Sequence, residues 1–222
     1  MSYLAKKEEV FLGQSERSEV GLDYYNSIEN ALSYQRKMLD RALNQSLRHV
    51  AILAEVTARL IETLRSGHKV LIAGNGGSAA EAQHFAAELV GRFKRERSPY
   101  AVLSLTTDTS ILTAIANDYG YQDIFARQIL ALGQPRDMLI VFSTSGESEN
   151  LLYAATAARR CMMTIIAITG DQPNSLESLA DVTVHVPSVD TAITQELHMV
   201  VTHILCDIVE SELMSYESDT GI

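Results

Sequence analysis

The spacing of apolar and polar positions changes several times along this chain, and each change marks an element. From Asp23 to about Ser66 a stretch rich in Leu, Ala, Glu and Arg carries apolar residues at helical spacing, as at Leu53, Val56, Leu60 and Leu64, and predicts two long helices. Lys69 to Ala73 is then a short, continuously apolar run beside glycines, the pattern of a strand covered on both faces by helices. Runs of the same kind recur at Ala101 to Leu105, Asp137 to Phe142, Met163 to Ile168 and Val182 to Val186. Helical patterns accompany most of them, at Ala79 to Phe93, Asp123 to Leu132, Asn150 to Arg160 and Thr191 to about Tyr216. Strand followed by helix, repeated about five times, predicts an α/β fold: a doubly wound five-stranded parallel sheet flanked by helices, with the N-terminal helices added to it. The organisation expected is a flexible extension over 1–22, a helical segment over 23–66 that packs on the core and in an oligomer, the α/β domain over 67–216 and a tail over 217–222. Ligands of such sheets bind beyond the carboxyl ends of the strands, so the strand-to-helix turns are the places to read for chemistry.

Composition narrows the classes. A chain of 222 residues that is 46% hydrophobic can bury a substantial core, which excludes disordered and fibrous classes. A net charge of -10 argues against a surface built for a nucleic-acid backbone. The one basic cluster, Arg92 to Arg97, reads as a solvated loop after a helix. Met1 to Gly21 has no uninterrupted apolar stretch of signal-peptide length, and no run approaches the roughly 18 apolar residues of a membrane span, so a cytoplasmic protein without membrane contact is expected. Cys161 and Cys206 sit far apart in apolar segments and read as buried, reduced thiols.

Two turns stand out. Gly74-Asn75-Gly76-Gly77-Ser78 follows the first strand and leads into a helix, where glycines allow close approach and the helix start offers free N–H groups to an anion; it fits neither a Walker loop nor a dinucleotide fingerprint. Ser143-Thr144-Ser145-Gly146-Glu147-Ser148 places four hydroxyls at another strand end, each able to donate to a phosphate oxygen. Helix capping is the other reading of these hydroxyls, and it accounts for one of them. Together the two turns point to a phosphorylated ligand.

His84 and Glu88 are four apart and share one helix face, a spacing that can clamp a divalent metal. The last helix carries Gln195, Glu196, His198 and His203. Gln195 and His203 would lie about 12 Å apart along a straight helix and about 80° around it, so two ligands from one intact helix are stretched. Either Gln195 stands at a bent helix start or a neighbouring chain supplies some groups. Asp108, within Thr106 to Ser110, is a sugar-contact candidate, with a turn or cap as its alternative.

These residues carry a resemblance. Gly74 to Ser78, His84 with Glu88, Asn117-Asp118, Ser143 to Ser148, and Gln195 to His198 with His203 resemble the phosphoheptose isomerases of the SIS sugar-isomerase family, over about Asp23 to Glu212. The resemblance implies conversion of sedoheptulose 7-phosphate to D-glycero-D-manno-heptose 7-phosphate for heptose (lipopolysaccharide core or capsule) biosynthesis. It implies that Ser143, Thr144, Ser145 and Ser148 hold the phosphate and that Asn75, Gly76, Gly77, Asn117 and Asp118 line the sugar site, with Ser78, Asp108, Glu88 and Gln195 as further contacts. It implies one Zn²⁺ per subunit on His84, Glu88, Gln195 and His203, and a homotetramer with sites at subunit interfaces. Glu88 and His203 are then the acid/base pair of an enediol mechanism. The same family holds a tetrameric module that associates with the replication initiator DnaA, and a non-catalytic sugar-phosphate sensor is a third reading; an acid/base pair at Glu88 and His203 favours the enzyme.

Overall fold

Five continuously apolar segments form the sheet. In the computed structural model, which describes residues 19–46 and 50–220, they are β1 (Val70–Gly74), β2 (Val102–Ser104), β3 (Met138–Ser143), β4 (Thr164–Thr169) and β5 (Val182–His185). All pairings are parallel and the order is β2-β1-β3-β4-β5. Every residue of β1 and β3 is buried, as central strands covered on both faces require. The helices are α1 (Glu19–Ser46), α2 (Val50–Arg65), α3 (Gly77–Val90), α4 (Thr109–Asp118), α5 (Ala126–Leu132), α6 (Glu149–Arg160) and α7 (Thr191–Thr220).

The strand period of two splits the sheet's side chains between two layers. Leu71, Ala73, Leu139, Val141, Ile165 and Ala167 pack on one face with Ile129 of α5 and Leu151, Ala154 and Ala158 of α6. Phe142, from the opposite face, lies 6.3 Å from Phe85 of α3 and 5.7 Å from His198 of α7, ring centre to ring centre. In α7 every fourth residue from Ile193 through Leu197, Val201, Leu205 and Val209 to Leu213 is buried. By length and composition its Thr191–Ser215 stretch could cross a membrane, contrary to the expectation from sequence, but half of the hydrophobic window is buried inside the protein. It is the core helix of the second layer.

Chain contacts divide the molecule into two units, Met1–Met38 and Leu39–Ile222, so that α2 belongs with the sheet. Of the extension expected over 1–22, residues 1–18 lie outside the described residues and 19–22 are already helical. At the other end α7 runs through most of the expected tail, to Thr220. The sequence reading assigned no helix over Thr109–Asp118, although a cap was one alternative it gave for Asp108. Asp108 is the N-cap of that helix, accepting the Ile111 N–H at 2.9 Å, and Leu112, Ile115 and Ala116 pack on the core. Between β4 and β5 there is no α-helix, only a 3₁₀ turn at Leu176–Ser178.

Candidate active site

Sheet order fixes where a ligand would lie. In the order 2-1-3-4-5 the connections leave in opposite directions from β1 and β3, and the crevice beyond their carboxyl ends is the switch point. Gly74 is registered against Phe142, so the Gly74 to Ser78 turn and the Ser143 to Ser148 turn stand side by side at that crevice.

The glycine turn closes tightly. Gly76 has a positive φ of 55°, and a Cβ on Gly77 would come within 2.3 Å of the Gln195 amide. Gly77 therefore lets α7 bring Gln195 against the start of α3. Ser78 is buried in the first turn of α3. Asn75 exchanges amide hydrogen bonds with Asn150 of α6, both at 2.8 Å, and accepts the Tyr121 hydroxyl at 3.0 Å. Sequence reading gave neither Asn150 nor Tyr121 a site role, since the burial of Asn150 and its partner 75 residues away are set only by the fold.

The hydroxyl turn is ordered by its own backbone. Ser143 Oγ accepts the Gly146 N–H at 2.9 Å and Ser145 Oγ accepts the Glu147 N–H at 3.2 Å. Glu147 points away, its carboxylate taking the backbone and hydroxyl donors of Ser175, hydrogen bonds that hold its pKa below the ordinary range. Ser148 occupies the N-cap position of α6 without a side-chain cap bond, and Gly76 at the start of α3 likewise has none. By contrast Asp108 caps α4 and Asp190 Oδ1 accepts the Ile193 N–H in the first turn of α7. Capping thus accounts for none of the four hydroxyls. The two helices that open onto the crevice both start without a side-chain cap, as α5 also does, so their first-turn N–H groups are open to it.

Along α3, His84 lies about 10 Å beyond the helix start. Its Nε2 is 3.0 Å from His203 Nε2 of α7 and 3.1 Å from Glu88 Oε1, and one ligand atom from each of the three residues falls within 4.8 Å of the others. Two imidazole nitrogens and a carboxylate oxygen meeting at one point need a shared proton or a cation between them, and this N/O donor set suits zinc. The residues present therefore fit a divalent metal. Gln195 sits in the second turn of an unbroken α7, so a bent helix start is not the answer to its separation from His203. It shares a cleft of about 480 Å³ with Gly77, Glu81, His84, Glu196 and Met199.

Near this cleft lie Glu81 and His198, to which the sequence reading gave no role, and Cys206, which it read as a buried thiol. Glu81 and His198 are buried, with His198 Nδ1 3.2 Å from Glu81 Oε2. Cys206 is buried, and burial first, then the charges of Glu88 and Glu210, push its thiol pKa well up, leaving it neutral and unreactive. The remaining candidates are not brought in. Asn117 donates to Asp118 at 2.8 Å at the exposed end of α4, and neither they nor Asp108 touch the two turns among the described residues.

Comparison with known proteins follows the geometry. The family model for the SIS domain matches residues 24–170. The chain is 45% identical over 188 residues to a phosphoheptose isomerase from Roseiflexus, covering 85% of this chain and 92% of that one. It is 50% identical over 170 residues to the phosphoheptose isomerase of Helicobacter pylori strain P12, covering 76% and 88%. The solved phosphoheptose isomerase of Francisella tularensis superposes with a TM-score of 0.79 at 36% identity, over 83% of this chain and 98% of that one.

Proposed function

Since this chain belongs to the SIS-domain family and, within it, to the phosphoheptose isomerases, we propose that it interconverts sedoheptulose 7-phosphate and D-glycero-D-manno-heptose 7-phosphate in the cytoplasm, for heptose biosynthesis. The observation that carries this reading is the meeting of His84, Glu88 and His203 one stretch of helix away from two hydroxyl- and glycine-lined turns. A sugar held by its phosphate at Ser143, Thr144, Ser145 and Ser148 extends its other end along α3 toward Glu88.

Glu88 removes a proton from C1 of the ketose, and the electron pair of that C–H bond becomes the C1–C2 double bond of the enediol. His203 donates a proton to the C2 oxygen as negative charge develops there. Glu88 then returns its proton to C2, His203 takes the proton from the C1 hydroxyl, and the aldehyde forms at C1. Asn75, held by Asn150 and Tyr121, and Gln195, held against Gly77, are placed to orient the sugar hydroxyls. His84, Glu88 and His203, with Gln195 as the fourth, would hold Zn²⁺, which when bound supplies Lewis-acid polarisation of the sugar's carbonyl and hydroxyl oxygens.

The working unit in this reading is a homotetramer with its sites at subunit contacts. Exposed Tyr24, Ile28 and Leu32 form a helical stripe on α1. Separately, Val50, Leu53, Ile61, Ile204 and Ile208 line an apolar groove of 440 Å³ between α2 and α7. Subunit contact would also give Asp108, Asn117 and Asp118, whose hydrogen bonds here stay within α4, a site to complete.

Proton NMR of the protein with sedoheptulose 7-phosphate tests the proposal. An aldoheptose phosphate signal is expected, abolished in Glu88→Gln and reduced by chelation. Saturable binding without product would assign the chain to sensing instead, and neither binding nor product would leave the binding-module reading. Near-normal turnover by folded Glu88→Gln would remove Glu88 from the mechanism.

A further inference from the structure

Arg92 to Arg97 reads in the sequence as a wet charge run, yet the structure ties it down by a single carboxylate. Glu210 of α7 is fully buried. Its oxygens accept three consecutive backbone N–H groups, from Phe93 at 2.9 Å, Lys94 at 2.8 Å and Arg95 at 3.0 Å. Arg97 supplies the countercharge: its side chain is 1% exposed and its Nε lies 3.3 Å from Glu210. The same guanidinium donates to the backbone carbonyls of Glu88 at 2.8 Å, Gly91 at 3.1 Å and Ser98 at 3.0 Å, and lies over the Tyr100 ring. Lys94 and Arg95 add ion pairs to Asp207, each at 2.8 Å.

This segment ends up against the reacting cluster. Phe93 stacks on the His203 imidazole at 5.5 Å between ring centres and an interplanar angle of 15°, while His84 meets the same imidazole edge-on at 5.2 Å and 71°. His203 is exposed, and an imidazole on the open side of a helix has rotational freedom that only its neighbours remove. Glu210 lies seven residues beyond His203 on the same side of α7, so one carboxylate fixes the strap's distance from the ring it covers.

We infer that Phe93 and Glu210 are positioning residues for His203: Glu210 gathers the backbone of the 93–95 strap, and the strap lays Phe93 flat on the imidazole so that its Nε2 stays aimed at His84 and Glu88. Arg97 closes the same brace from the other side by holding the backbone of Glu88. A buried carboxylate with three amide donors and a guanidinium is a well-satisfied, stiff joint, the support an aligned proton-transfer group needs. The inference rests on the role of His203 proposed above, and its test reads the ring directly as well as the turnover.

The experiment compares Phe93→Leu, which keeps apolar volume without a flat face, Phe93→Tyr, which keeps the face, and Phe93→Ala. Three quantities are measured on each: kcat and KM for the sugar phosphate, Zn²⁺ affinity by competition with a chromophoric chelator, and the NMR shifts of the His203 ring protons. The expectation is that Phe93→Leu and Phe93→Ala lower kcat and Zn²⁺ affinity about tenfold or more with KM within about threefold, because the phosphate is gripped elsewhere. The upfield ring-current shift of the His203 protons is lost in both, and Phe93→Tyr restores all three quantities. Should Phe93→Ala fail to fold, Phe93→Leu decides. Wild-type kcat, Zn²⁺ affinity and His203 shifts in Phe93→Leu would overturn the inference, as would equal losses in Phe93→Leu and Phe93→Tyr. If no variant, nor the parent, isomerises the sugar, the metal affinity and ring shifts still decide the brace while the functional reading fails separately.

Discussion

The two imidazole nitrogens that face each other at 3.0 Å come from residues 119 positions apart, and nothing local in the sequence joins them. What was legible was the helical spacing of His84 and Glu88 and the presence of His203 on a later helix. What was not legible was everything whose partner is distant: Glu81 against His198, Glu210 against Phe93 to Arg97, Asn75 against Asn150. A buried carboxylate in a helical pattern looks like any exposed one until its donors are known. The charged run at 92–97 misled for the same reason, since the charge of Arg97 is neutralised from α7. At the hydroxyl turn, Ser145 is exposed and accepts the Glu147 N–H. In the proposed reading its hydroxyl is one donor to the substrate's phosphate, and hydrogen bonds to charged groups contribute about 1.5–3 kcal/mol. Ser145→Ala is therefore expected to raise KM by roughly tenfold or more with a smaller change in kcat, measurable by steady-state kinetics.

At the scale of elements, strands were easier to place than helices. Continuous apolar runs fall within a residue or two of the observed strands because a central parallel strand needs apolar side chains on both faces. The missed α4 is short, rich in β-branched residues, and only partly buried on the core face, so its periodicity is weak. The junction of α3 and α7 yields a separable prediction at Gly77. There an added methyl meets only the far end of the flexible Gln195 side chain, 2.3 Å from Nε2. Gly77→Ala is expected to shift the melting temperature little, since Ala is at least as good as Gly in a helix, while displacing Gln195 and lowering kcat/KM by about tenfold. Thermal melts and kinetics on the same preparation check both halves.

For the whole molecule, two buried carboxylates contribute stability that acid removes. Asp137, at the start of β3, is desolvated, which raises its pKa. Hydrogen bonds from the Lys69 side chain and backbone and from Gln134 outweigh this and hold it below the ordinary 3.8. Burial of Glu210 is likewise outweighed by its three backbone donors and Arg97, holding it below 4.5. Both groups bind their proton more weakly folded than unfolded. Their contribution is complete above the unfolded pKa values and is lost as pH falls through the folded ones. Asp137→Asn should lower the melting temperature at neutral pH, with the gap to the parent closing as the pH is taken to about 3. A gap that persists unchanged would mean that geometry rather than charge holds that joint. The α2/α7 groove leads to a second whole-molecule prediction: where it forms a contact of the proposed tetramer, Ile208→Glu should yield smaller species in sedimentation velocity than the parent while leaving the secondary structure seen by circular dichroism intact.

The placement of His203 and Glu210 on α7 also orders events in time. Synthesis proceeds from the N-terminus, so β1, α3 and the 92–97 strap leave the ribosome about a hundred residues before the helix that completes them. Until α7 arrives, Phe85 and Phe142 have no covering helix from that side, and the strap's amides and Arg97 lack their shared acceptor. A chain stopped short of residue 191 would therefore hold a sheet face covered by α2 and α3 alone and would lack His203 beside His84 and Glu88. In the proposed reading, docking of α7 both adds its layer to the core and brings His203 to His84 and Glu88, so activity is expected only once that helix has docked.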